Sequence, residues 1–402
     1  MKTMWKTLSV LLGLVLTCTG CGGGNGETKR ENEASEVASM TESVKTETPA
    51  ESKEETLPET TEAPVYPEAE NGIYSMKSLE GWAKFHNRFY FLKDGSMTAD
   101  WSASGFTMNV ENTGEKFLIH YKSMDQVWLS VWIDDEEHFR PCIEAGEGVV
   151  AVEMEPGAHT ISVYRETEIS PTGKTFNLKG VSFEGTILAR PEDGEFYVEF
   201  LGDSISCGDG SLGVYRSGEV WSREDHSATH GFPFLLSRML GADFSIVAKG
   251  GIGLLNPSGD YTIDGLYPYV TGYRDHIITY DFKRIPDLVV FELGANDGGY
   301  EELDYYNKMA EMIKEIRTVY GKDVPILWFG SSERFYGSMQ RYMRTVKNED
   351  PNLYALQFKY GGSGSAALST QSSGHPSAEE QQEIADKILE FLKEKHLLGL
   401  GE

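Results

Sequence analysis

Apolar positions come in short runs up to about residue 190, and after about 191 in blocks that alternate with helical patterns. The early runs are Phe89–Leu92, Phe106–Val110, Phe117–Tyr121, Val127–Ile133, Gly148–Met154 and His159–Tyr164. Asp94-Gly95, Thr113-Gly114 and Pro156-Gly157 punctuate them as turns. In Val127–Ile133 apolar side chains alternate with others, as a half-buried strand requires. No long helical period is evident, so residues 71–190 predict a β-sandwich or jelly roll.

In the second half, Tyr197–Leu201 reads as a strand, and Phe244–Ala248, Leu288–Leu293 and Ile326–Phe329 are near-continuous apolar runs of the kind buried in parallel sheets. Between them, His230–Leu240 and Leu303–Tyr320 carry helical spacing, the latter through Met309, Met312, Ile313 and Ile316. A final helix follows Ser377, which with Glu380 has capping-box spacing, and aligns Ile384, Ile388, Phe391 and Leu392 on one face. This alternation predicts a three-layer α/β domain with a parallel sheet over residues 191–402.

The first 70 residues read differently. Lys2 and Lys6 precede the apolar run Leu8–Leu16, too short to span a membrane and laid out like a secretory signal. Thr17-Cys-Thr-Gly-Cys-Gly resembles a bacterial lipobox, and Gly20 favours Cys21 over Cys18 as the lipidated residue. Residues 1–21 are therefore expected to be a lipoprotein signal peptide and the protein to be extracytoplasmic, held at the membrane by acyl chains alone. Residues 22–70 carry thirteen Glu against four Lys and Arg and hardly an aromatic before Tyr66. Such a stretch buries too little apolar surface to offset its ordering entropy, which predicts an extended acidic linker.

Charge narrows the function. A formal net charge of −27 over 402 residues repels a phosphate backbone and argues against nucleic acid as partner. Cys142 and Cys207 are expected to be buried thiols rather than a disulfide. His226 and His230 have the i, i+4 spacing of a zinc pair, but no zincin Glu and no third ligand accompany them, so neither metal nor cofactor is expected. Trp101, Trp128 and Trp132 suit either sugar stacking or, more commonly in alternating strands, core packing.

The chemistry lies at strand ends, where open α/β sheets place their sites. Gly202-Asp-Ser-Ile-Ser-Cys-Gly-Asp-Gly puts Ser204 directly after a strand, at a sharp turn. Gly250-Gly-Ile-Gly follows the second strand, Gly294-Ala-Asn-Asp the third, and His375-Pro-Ser stands just before the last helix. A serine hydroxyl becomes a nucleophile when an imidazole takes its proton, and the oxyanion then needs fixed donors. Ser204 is the candidate nucleophile and His375 the candidate base. The N–H groups of Ser204 and Gly251 (or Gly250) and the amide of Asn296 are the candidate oxyanion hole. Asp203 reads as a brace for the turn. No Gly-x-Ser-x-Gly elbow occurs.

These four blocks, in this order, resemble the SGNH (GDSL-type) hydrolases over residues 195–395. With the preceding β-region and the Gly-Asp-Ser-Ile-Ser-Cys-Gly, Gly-Ile-Gly-Leu and His-Pro-Ser variants, they are similar to carbohydrate esterase family 2. That resemblance implies a jelly roll followed by a flavodoxin-like SGNH domain, and deacetylation of polysaccharides such as xylan or mannan. One departure stands out: Ser372 and Ser373 occupy the positions where the SGNH pattern places the triad Asp. A backbone carbonyl orienting His375 in a Ser–His dyad is the first expectation. Asp297 as orienter, or a catalytically impaired homologue, are the alternatives. For function the alternatives are an esterase for another ester, such as envelope glycan acetyl groups, or a glycan-binding lipoprotein.

Overall fold

A computed structural model describes residues 66–168, 173–213, 222–272, 278–330, 332–357 and 375–401. Cys21, most of the acidic linker, and Ser372 and Ser373 fall outside the described residues. Tyr66 stacks on Trp82 with ring centroids 4.6 Å apart, so packing begins inside the stretch read as linker.

The first part is a ten-stranded antiparallel sheet. Its principal strands are β1 (Ala83–His86), β2 (Gly105–Ser123), β3 (Val127–Ile133), β4 (Gly146–Glu153), β5 (Gly157–Arg165) and β6 (Phe176–Ile187). Phe106, Phe117, Ile119, Leu129 and Ile161 are inaccessible in its core. Three expectations from the sequence change here. No turn forms at Thr113-Gly114: β2 runs through it for 19 residues, pairing first with β5 and then with β4. The extra residues bulge from β2 itself, where residues 113–116 stand opposite the single Glu184 of β6, and the Asn112 amide donates to the Gly114 carbonyl at 2.7 Å. A Cβ at Gly185, where φ is +140°, would lie 1.9 Å from the Glu111 carbonyl oxygen. Second, Phe89–Leu92 is not a strand. Asn87 adopts φ +63° and ends β1 at His86, and Phe91 makes only an isolated bridge to Met97. Third, β6 is a full strand that the turn-like Gly180 and Gly185 disguised.

The second part is a five-stranded parallel sheet of β7 (Phe196–Gly202), β8 (Ala242–Ala248), β9 (Leu288–Glu292), β10 (Ile326–Gly330) and β11 (Leu353–Gln357), ordered β8-β7-β9-β10-β11. Helices α1 (Ser204–Cys207), α2 (Phe232–Leu240), α3 (Glu302–Tyr320), α4 (Glu333–Val346) and α5 (Ala378–Glu394) accompany it. Strand alternation divides the apolar runs between two cores. Leu201, Val247, Val289 and Phe291 pack with residues of α3 and α4, while Val198, Phe200, Ile246 and Val290 pack with residues of α2 and α5. The edge strand β11 and helix α4 were not foreseen. Strand β11 is partly exposed where β9 and β10 are buried throughout.

The two parts share a seam. Asn87 donates to and accepts from the backbone of Ile246 on edge strand β8, and Trp101 donates to the Val270 carbonyl at 2.7 Å. Trp132 lies against Phe234 of α2, with ring centroids 6.0 Å apart. Both tryptophans therefore pack at the seam, while Trp128 is half-buried with the Arg140 guanidinium over its ring.

Candidate active site

Strand β7, second in the sheet, ends at Gly202, and the chain turns at once into the single-turn helix α1. Gly202 is required because a Cβ there would lie 1.9 Å from Ser206 Oγ. Asp203 caps α1, its Oδ1 accepting from the Ile205 N–H at 3.0 Å. At the far end Gly208 takes φ +74°, where a Cβ would lie 2.1 Å from the Ser227 carbonyl oxygen. The turn thus presents Ser204 at the sheet rim, mostly buried at 7 % exposure.

His375 arrives from the opposite end of the chain. Helix α5 behind it is anchored to the nucleophile turn: Ala378 N–H donates to the Ser211 carbonyl, and Gln381 Nε2 donates to the Ile205 carbonyl at 3.0 Å. Ser377 and Glu380 form the expected capping box. So held, His375 Nε2 lies 2.7 Å from Ser204 Oγ across 171 residues of sequence.

The candidate oxyanion donors are partly committed. Gly250 N–H donates to the Glu168 carboxylate, which arrives from the antiparallel part. That commits the Gly250 N–H elsewhere and leaves Gly251, at φ +73°, as the remaining glycine candidate. Asn296 Nδ2 donates to Asp203 Oδ2 at 3.1 Å and to the Ile252 carbonyl at 2.8 Å. Its amide is thus fixed beside the nucleophile turn, and it can serve an oxyanion only by sharing a hydrogen. Asp297 does not orient His375. Its carboxylate accepts from the N–H groups of Leu254, Leu255 and Asn256, pinning the loop that carries Gly251.

Beneath the turn, Asp203 and Glu292 face each other through a hydrogen bond, and Ser206 Oγ donates to Glu292 Oε2 at 2.9 Å. Burial pushes the Asp203 carboxyl up to about 7, and burial with the neighbouring Asp203 pushes Glu292 well above the carboxylate range. Asp209, on the residue after Gly208, was not singled out from the sequence. Its Oδ1 lies 2.9 Å from His226 Nε2 and its Oδ2 lies 3.8 Å from His375 Nε2. His226 and His230 do not converge on one point: His230 Nδ1 pairs with Ser227 Oγ at 2.8 Å. Among the described residues no group of three potential metal ligands forms. Cys142 and Cys207 are both free, and Cys142 is exposed where a buried thiol was expected, because it sits on a short edge strand.

A rim serine, a histidine from before the last helix and a glycine turn are now joined to an antiparallel unit that supplies Glu168. Comparison with known proteins agrees with this build. A family model described as carbohydrate esterase 2 N-terminal matches residues 85–191. The chain resembles the family 2 carbohydrate esterases of SGNH type. It is 26 % identical over 332 residues to the cellulase/esterase CelE of Acetivibrio thermocellus, covering 77 % of this chain and 39 % of that protein. The chain therefore spans well under half the length of that curated relative. Among solved structures, a family two carbohydrate esterase from Clostridium thermocellum, in complex with cellohexaose, superposes with a TM-score of 0.71 at 24 % identity, over 78 % of this chain and 98 % of that one. An acetyl xylan esterase from the rumen bacterium Butyrivibrio proteoclasticus gives 0.69 at 18 % identity, over 78 % and 95 %. The family 2 match begins at residue 85, just upstream of Asn87, and so takes in the seam residues Asn87, Arg88 and Trp101.

Proposed function

We propose that the protein is an exported, lipid-anchored serine esterase that removes O-acetyl groups from carbohydrate, of the acetylated xylan or mannan type. The observation that carries this reading is the 2.7 Å contact between Ser204 Oγ and His375 Nε2 at the carboxyl end of β7. As Oγ attacks the acetyl carbon, its proton passes to Nε2 and the carbonyl oxygen gathers negative charge. The N–H groups of Ser204 and Gly251, with the Asn296 amide, meet that charge, each donor worth roughly 2.7–4 kcal/mol in the transition state. Collapse breaks the ester bond, the sugar oxygen leaves with the proton from Nε2, and the acetyl group stays on Ser204. Water then attacks the acyl-enzyme with His375 as base, and acetate departs.

In this reading a jelly-roll module supports the site from the antiparallel side, Cys21 carries the acyl chains, and the linker spaces the catalytic part from the membrane. The resemblance to carbohydrate esterases, an acetyl xylan esterase among them, supports a carbohydrate ester as substrate.

The test is acetate release by the full chain from acetylated xylan, acetylated mannan and O-acetylated peptidoglycan, with Ser204→Ala as control. Ser204→Ala is expected to lose at least about 10⁴-fold in rate with the fold intact. Equal acetate release by the variant would refute the nucleophile, and release from peptidoglycan alone would refute the substrate class. Mass spectrometry of the mature N-terminus tests the anchor, which Cys21→Ala should abolish.

A further inference from the structure

Ser204, His375, Gly251 and Asn296 account for attack and charge on the ester, which leaves Asp209 and His226 without a part. Both are nearly inaccessible, at 5 % and 1 % exposure, a costly state for a carboxylate that only fills space. The Asp209 backbone is fixed by its own N–H, which donates to the Ser204 carbonyl at 3.0 Å, so its side chain starts from the nucleophile turn itself. One carboxylate oxygen lies 2.9 Å from His226 Nε2, and the other faces His375 Nε2 at 3.8 Å.

The side of the ring matters. A triad carboxylate acts on Nδ1, whereas Asp209 stands by Nε2, the nitrogen that exchanges a proton with Ser204. While the ring is neutral, its Nε2 lone pair accepts from Ser204 and gains nothing from a nearby anion. Once Nε2 takes the serine proton the ring is cationic, and the same anion stabilises it. An interaction stronger in the transition state than in the resting state lowers the barrier.

We propose that Asp209, steered by His226, is a positioning residue that holds and stabilises protonated His375 from its Nε2 side. This rests on the esterase reading above. Asp209 exchanges no proton in this scheme: the proton moves from Ser204 to His375 Nε2 and on to the leaving sugar oxygen. Among the described residues, the ionisable groups around the turn include Asp203 at the cap of α1 with Glu292 behind it, Cys207 within α1, Glu166 bonded to Ser227 next to His226, Glu168 from the antiparallel part and Lys249 after β8. Burial pushes the Cys207 thiol and the Glu168 carboxyl up and pushes Lys249 down. Among the described residues, Asp209 is the carboxylate found within 4 Å of the His375 imidazole.

The sign follows. Asp209→Asn removes an anion beside the imidazolium, which then sheds its proton more readily, so the acid limb of kcat/KM moves to lower pH. The experiment compares wild type, Asp209→Asn, Asp209→Ser and Asp209→Glu in the full chain, using a small acetyl ester across pH. In parallel, the His375 ring is titrated by NMR, its signal assigned with His375→Asn. Expected for both neutral variants is a kcat loss of roughly 10- to 100-fold with little change in KM. The acid limb and the ring titration should both shift down by about half a pH unit or more. Asp209→Glu should restore the wild-type limb. An unmoved limb and an unmoved ring titration overturn the proposal, whatever the rate. Failure of both neutral variants to fold would overturn it as well, assigning the carboxylate to the fold. Should the wild type hydrolyse no acetyl ester, the esterase reading fails, while the ring titration still decides the role of Asp209.

Discussion

Where the antiparallel part meets the parallel sheet, Arg88 and Glu199 are fully inaccessible, and their polar atoms are met from all sides. Arg88 Nη2 donates to Glu199 Oε1 at 2.7 Å, Nε to Ser245 Oγ, and Nη1 to the carbonyls of Tyr267 and Tyr269. Tyr267 OH donates to Glu199 Oε2, and the rings of Tyr267, Tyr280 and Phe282 surround the guanidinium. At the rim of the same sheet, Asp203 meets Glu292, a second carboxyl, and Asp209 meets two imidazoles. The seam pairs opposite full charges. At the rim, burial has raised the carboxyls of Asp203 and Glu292 and so made their charge state adjustable, which is the condition that proton-transfer chemistry uses. Buried charge in one sheet thus serves two ends, distinguished by its partners.

The largest effect that separates them is expected at the seam. Arg88→Ala leaves Glu199 buried without its cation and should destabilise the protein by about 3–5 kcal/mol. Arg88→Met combined with Glu199→Leu removes both charges and should recover most of that loss. Urea unfolding of the three proteins measures it. A single variant that unfolds like wild type would mean the pair is not a structural lock.

Asp297 sharpens the comparison because it lies at the rim but is satisfied like the seam, accepting three backbone N–H groups. Two of those bonds go to Oδ1 and one to Oδ2. Asp297→Asn can keep the first two and turns an N–H against the third, a loss of roughly 2–3 kcal/mol. Denaturation should show that loss. A drop in turnover with unchanged stability would move Asp297 to the chemical group instead.

The same contrast explains what the sequence disclosed. The nucleophile turn, the glycine turn and the Asn296 block are local: each sits at the end of an apolar strand, and the order β8-β7-β9 brings the three ends side by side. His375 was legible because a capping box fixed the start of α5 behind it. Arg88, Glu168 and Asp209 were not. Arg88 finds Glu199 111 residues away and Glu168 finds Gly250 82 residues away, and in sequence both are ordinary surface-type residues between strands. The antiparallel part was legible as a class but not in its register. Strand β2 carries residues 113–116 opposite one residue of β6 and resumes its ladder beyond them, and such a bulge within a continuing strand reads locally as a turn at Thr113-Gly114.

The smallest expected effect concerns pH, and it tests the rim most directly. Burial raises the Asp203 carboxyl from 3.8 to about 7, and Glu292 is raised well above the ordinary range. An acid whose folded value exceeds its unfolded value binds more protons when folded. Its contribution is therefore fully present below the unfolded value and is lost as pH rises through the folded one. For Asp203 that window runs from about 4 to about 7, so wild-type stability should fall between pH 5 and pH 8. Glu292→Gln keeps an acceptor for Ser206 and offers Asp203 an N–H that does not titrate. Asp203 can then ionise at lower pH, so the decline should flatten, with a gain on the order of 1–2 kcal/mol at pH 8. Denaturant midpoints at pH 5 and pH 8 for the two proteins decide it. A wild type that gains stability over this range would show that the two acids are charged in the folded state, and the rim would then differ from the seam in partners but not in protonation.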